Sequence, residues 1–116
     1  MEDMLSETEA LGELLRDHRG VDVLVMDLRQ MGSWTDFFVV ATASSGAHMD
    51  GLERHVGDFC RNRGIEILRR SRRPKTAQDV PDEWRIIDLG SAVIHLMSGN
   101  ARAFYDLERL YSVKVG

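Results

Sequence analysis

The sequence predicts an α/β (α+β) fold: a mixed five-stranded sheet with packed helices, in the order α-β-β-α-β-β-β-α. Three observations predict it. Apolar residues recur at helical spacing in three segments. Five short runs are rich in β-branched, aromatic and aliphatic residues. Glycine, serine and proline breaks separate these runs. At 116 residues the chain is a single domain, 1–116, and is long enough to bury a real core.

The elements follow in order. Ser6 with Glu9 three positions on fits a capping box, so a first helix is predicted behind it, with residues 1–5 flexible. Leu11, Leu14 and Leu15 line one face of that helix, and Gly20 is its expected stop. Val21–Leu28 is a β-rich run. It is apolar on both faces from Val23 to Met26, which predicts a central strand covered on two sides. Trp34–Ala41 is the second strand, expected antiparallel to the first because the connection is short. Thr42–Ala47 is small and polar and leads into a second helix ending near Arg63. Met49, Leu52, Val56, Phe59 and Cys60 form its apolar stripe, and Gly64 is a good stop. Ile65–Leu68 reads as a short strand, and residues 69–81 as a long basic loop holding both prolines. Trp84–Leu89 and Ala92–Met97 form a hairpin. Its Gly90-Ser91 turn suits a two-residue loop that needs φ > 0 at the first position. Ser98 is placed to cap a last helix from about Asn100 to Leu110.

Composition narrows the function classes. The chain is 43% hydrophobic and 29% charged, ordinary globular values. Its one cysteine, Cys60, allows no internal disulfide and sits in a helical apolar stripe, so a buried, inert thiol in a reducing, cytoplasmic setting is expected. No apolar run approaches the ~18 residues of a membrane span. The acidic first residues argue against a secretory signal or a transit peptide. Net charge is −4 but uneven. Residues 61–75 hold seven of the fifteen Lys and Arg against one acid, Glu66. Such a run is either a polyanion contact or a solvated loop.

No catalytic constellation is legible. There is no phosphate-binding glycine loop, no cysteine pair for zinc, and no histidine spacing suited to a metal. The nearest approach to one is nucleotidyl transfer. Gly32-Ser33 precedes Asp36, and Asp88 lies on another strand. A two-metal site needs several converging carboxylates, and the second acid of the required pair is Phe38 here. Catalytic residues, metals and cofactors are therefore expected to be absent. His95 on the return strand reads as a satisfied, semi-buried histidine rather than a base. Trp84, opening its strand beside the basic loop, is either core or an interface anchor.

In their order and spacing, several pieces resemble the ribosomal silencing factors of the Iojap family. They are Asp27-Leu28, Trp34–Thr42, Ser45 with His48, Trp84–Gly90, Val93–Leu96 and Arg102–Leu110. The resemblance covers about Leu11 to Tyr111. It implies a nucleotidyltransferase-like fold without a catalytic site. It also implies a non-enzymatic regulator that binds the large ribosomal subunit through its fourteenth large-subunit protein. Bound there, it would block joining of the small subunit and repress translation under nutrient limitation. A homodimer is implied as well. Carried over residue by residue, the protein contact falls on Trp84, with Asp88, Leu89 and Tyr105 as neighbours.

Three departures stand out: Ser91 in the family's Gly-Asp turn, Gly46-Ala47 within the family's Ser-Ser-Arg-His, and the longer basic segment Arg69–Pro81. The last suggests an added contact of Arg69, Arg70, Arg72, Arg73 and Lys75 with ribosomal RNA phosphates. Two alternatives stay open from the residues alone: a small nucleotidyltransferase, and a plain RNA-binding protein acting through residues 61–75.

Overall fold

The computed structural model describes residues 4–72 and 84–105. The order is α1 (Met4–Asp17), β1 (Val21–Asp27), β2 (Phe37–Ala43), α2 (Gly46–Asn62), β3 (Arg69–Arg72), β4 (Trp84–Asp88), β5 (Ala92–Ser98) and α3 (Gly99–Tyr105). This is the predicted α-β-β-α-β-β-β-α order. The five strands form one sheet in the order β1-β2-β5-β4-β3. Among the described strands the central β2–β5 pair alone is parallel; β1–β2, β4–β5 and β3–β4 are antiparallel.

Alternation along the strands divides the core into two faces. On the first face, Phe37, Val39, Ala41, Ile87, Ala92, Ile94 and Leu96 meet Leu11 and Leu15 of α1 and Met49, Leu52, Val56 and Cys60 of α2. Burial raises the Cys60 thiol pKa, as an inert core cysteine requires. The second face gathers Leu28, Phe38, Val40, Trp84, Val93, Met97 and Ala101.

Two helix ends show how local sequence sets the chain path. Both α1 and α2 close in the same pair of backbone hydrogen bonds, 6→1 and 5→2. In α2 these are Ile65 N to Cys60 O (2.8 Å) and Gly64 N to Arg61 O (3.3 Å), with Gly64 at φ 69°. Glycine reaches that left-handed conformation without a Cβ clash. In α1 the bonds are Gly20 N to Leu15 O (2.7 Å) and Arg19 N to Arg16 O (3.1 Å). The left-handed position there is Arg19, at φ 70°, not the expected Gly20.

Four other expectations are corrected. The first helix starts at Met4, so Met4 and Leu5 are helical and Ser6 lies inside the helix rather than at its cap. Strand β1 is an edge strand, not a central one. Val23 and Val25 pack under α1, while Leu24 turns to the outer margin of the second face, 37% exposed. Apolar residues on both sides therefore marked two-sided contact without a central place. The third strand is not Ile65–Leu68 but Arg69–Arg72, so the expected basic loop begins with four paired residues. An edge strand tolerates charge, because one side of it faces water. Ile65 and Ile67 instead pack on the first-face core without strand pairing. Strand β2 starts at Phe37 rather than Trp34, leaving Trp34 in the preceding loop.

The hairpin turn is as predicted. Gly90 has φ 89°, and Leu89 N donates to Ala92 O at 2.8 Å. Ser98 caps α3 by accepting from Ala101 N at 3.0 Å.

Candidate partner-binding face

The second face carries most of the aromatic side chains described. Its geometry begins at the hairpin. Trp84, Ile86 and Asp88 alternate onto this face, opposite Met97, His95 and Val93 of β5. Trp84 is only 7% exposed. Its indole Nε1 donates to His95 Nδ1 at 3.0 Å. Nδ1 therefore carries no hydrogen, and the neutral ring bears its proton on Nε2. That buried Nε2–H has no hydrogen-bond partner among the described residues. Burial pushes the His95 pKa down to about 4, so the ring stays neutral at physiological pH. Phe38 of β2 sets its edge against the imidazole at 4.6 Å. On the far side, Trp34 meets Phe38 edge-on at 6.3 Å. The four rings form one row, Trp34–Phe38–His95–Trp84, across three strands.

The β1–β2 loop that carries Trp34 is pinned at both ends. Arg29 grips Asp27 with two donors, Nε to Oδ1 at 3.0 Å and Nη2 to Oδ2 at 2.7 Å. These bonds, with the Arg29 backbone N–H, hold the Asp27 carboxyl below its usual pKa. At the other end Thr35 Oγ1 donates to Gly90 O at 2.9 Å, and Asp36 and Phe37 N–H both donate to Ser91 O. The loop is thus tied to the hairpin turn.

The predicted site residues are only partly brought together. Trp84 and Asp88 share the second face. Leu89 turns to the first face and joins the α1–α2 core. The Tyr105 backbone closes the described part of α3, and its side chain lies outside the described residues. Asp88 Oδ1 accepts from Gly90 N at 2.8 Å, so this carboxylate holds the turn. Asp36 is exposed at the edge of the loop. Among the described residues no three His, Cys, Asp or Glu side chains converge to hold a metal ion.

Three of the seven bases of the stretch 61–75 are paired with acids. Arg61 pairs with Asp58, Arg63 with Glu7 (2.5 Å), and Arg70 with Glu53 (3.3 Å). Arg69 is exposed on the second face opposite Asp88. Arg73, Lys75 and the Arg72 side chain lie outside the described residues.

Sequence reasoning missed three features. Trp34 was placed in a strand, although Gly32-Ser33 just before it signalled a longer turn. Arg85 is buried on the first face, donating to Asp50 and, at 3.1 Å, to Glu53 of α2. Its place in an apolar strand gave no sign of that. His48 joins two helices. Its Nδ1 accepts from Ser44 N at 2.9 Å, so its Nε2 donates to His18 O at 2.9 Å. The adjacent Ser45 caps α2 by accepting from His48 N at 3.0 Å.

Comparison with known proteins assigns the chain to a family. Residues 2–115 match the family described as ribosomal silencing factor during starvation. A ribosomal silencing factor of Treponema pallidum is 40% identical over 102 residues, 88% of this chain and 86% of that protein. The mouse protein called mitochondrial assembly of ribosomal large subunit protein 1 is 27% identical over 108 residues. The match spans 93% of this chain and 46% of the mouse protein. A crystal structure of a Chromobacterium violaceum protein superposes with a TM-score of 0.80 at 27% identity, covering 97% of this chain and 88% of that one. With a match over nearly its whole length and a 40% identical relative, the chain belongs to the ribosomal silencing factor family.

Proposed function

We propose that this chain binds the large ribosomal subunit through its fourteenth large-subunit protein and so blocks joining of the small subunit, repressing translation under nutrient limitation. The family match over residues 2–115 carries this reading. The role is steric rather than catalytic: a rigid face occupies a surface that the other subunit needs. The contact falls on Trp84, with Asp88, Leu89 and Tyr105 as its neighbours. Action in the cytoplasm and as a homodimer belongs to the same reading. So does a secondary contact of Arg69, Arg70, Arg72, Arg73 and Lys75 with ribosomal RNA phosphates, whose mark is loss of affinity with salt.

The test is a subunit-joining assay. Purified small and large subunits are mixed with increasing amounts of the protein and resolved by sedimentation. The expected result is a dose-dependent fall in joined ribosomes, with the protein travelling with the large subunit. Undiminished joining at saturating protein overturns the reading.

A further inference from the structure

Trp34 is the most exposed of the large apolar side chains described, at 68%. It is not on a loose loop. The Asp27–Arg29 clamp, Leu28 N to Asp36 O (2.7 Å), Met31 N to Leu28 O (3.0 Å) and the Thr35–Gly90 bond fix the segment on both sides. The indole is therefore held out from a stiff platform, which lowers the entropy lost when a partner covers it. Around it the second-face core runs on towards the sheet margin through half-buried Met26 and Met31 and the more exposed Leu24. An apolar patch on a rigid support, centred on a tryptophan, is the composition of a binding hot spot.

The local charge says what kind of surface fits it. Residues 30–38 carry one charge, the exposed Asp36, and no base. Asp88 stands at the same end of the face, across the turn to which Asp36 is bonded. The cation of the same loop, Arg29, is clamped on the Asp27 carboxylate, and Arg69 lies opposite Asp88, so the cations a nucleic-acid backbone needs are matched here by carboxylates. An apolar pocket bordered by Lys or Arg is the complement.

We propose that Trp34 is a direct anchor for a basic protein surface on the large ribosomal subunit, inserting its indole into an apolar pocket there. The proposal rests on the ribosome-binding reading above. It adds to the contact proposed at Trp84 and Asp88 a second, protruding anchor at the other end of the row of rings.

The experiment measures binding of labelled protein to purified large subunits, with thermal melts as a folding control. Trp34→Ala is expected to weaken binding at least ~10-fold with a melting midpoint within ~2 °C of wild type, and Trp34→Phe to stay within ~3-fold. A photo-crosslinking phenylalanine analogue at position 34 is expected to label a ribosomal protein. Wild-type affinity in Trp34→Ala, or a crosslink to ribosomal RNA, overturns the anchor while leaving the silencing reading standing. No binding by the wild-type chain overturns both.

Discussion

The Trp84 indole and the His95 imidazole share one hydrogen bond, Nε1 to Nδ1 at 3.0 Å, and it fixes the tautomer of a buried ring. The ring cannot take a second proton without placing two donors against each other. Its proton acceptance is thus tied to the packing of the whole second face.

Acid is therefore expected to destabilise the protein through His95. Its folded pKa is about 4, below the ordinary 6.5, so the native state binds fewer protons than the unfolded chain between these values. The stabilising contribution is complete above pH 6.5 and is lost as pH falls towards 4. Between pH 7 and pH 5 the loss is roughly 2 kcal/mol, from 1.36 kcal/mol per pH unit. Urea unfolding at both pH values checks this. His95→Asn should show a smaller drop by about that amount, and equal drops would refute it.

Trp84→Phe should cost about 1–2 kcal/mol, because the buried His95 Nδ1 loses its donor. Trp84→Ala should cost about 3–5 kcal/mol, from the cavity left under Ile86 and Met97. A domain of this size holds about 5–15 kcal/mol in total, so the alanine variant approaches the limit of folding. Binding tests at this position are best made with Trp84→Phe, after its urea midpoint has been measured.

Arg19→Gly should raise stability by about 1 kcal/mol. Arg19 sits at φ 70° in the left-handed position that ends α1, where a Cβ is unfavourable. The equivalent position of α2 already has Gly64. The check is a higher thermal midpoint with unchanged subunit binding.

His48→Ala should lose about 1–2 kcal/mol. It removes the bonds to Ser44 N and His18 O that tie the start of α2 to the end of α1. His48→Gln restores only part of this, since its amide does not reproduce the ring's opposed donor and acceptor. Hydrogen exchange should locate the loosening at residues 17–20 and 44–48.

The sequence carried the element order and the hairpin. Periodicity and turn glycines report local geometry, which dominates both. Met49, Leu52, Val56 and Cys60 all reached the core their stripe predicted. It carried less about position within the sheet. Val23–Met26 looked central because it is apolar on both faces, and pairing partners leave no local trace. The charged β3 was invisible for the converse reason: an edge strand can be made of Arg69 to Arg72, which no β-propensity favours. From the residues alone Trp84 reads either as core or as an anchor. Only the fold shows that it is buried while Trp34, in a loop taken for strand, faces water.

The parallel pairing of β2 with β5 has a consequence for the order in which the protein is made. Thr35 and its partner Gly90 are 55 residues apart, and β5 lies between β2 and β4 in the sheet. While the chain is being synthesised, β1 can pair with β2 and β3 with β4, but nothing joins the two pairs until β5 has emerged. Both pairs close on β5, the last of the described strands to emerge. The assembled second face, with His95 at its centre, comes into being only after β5 has emerged.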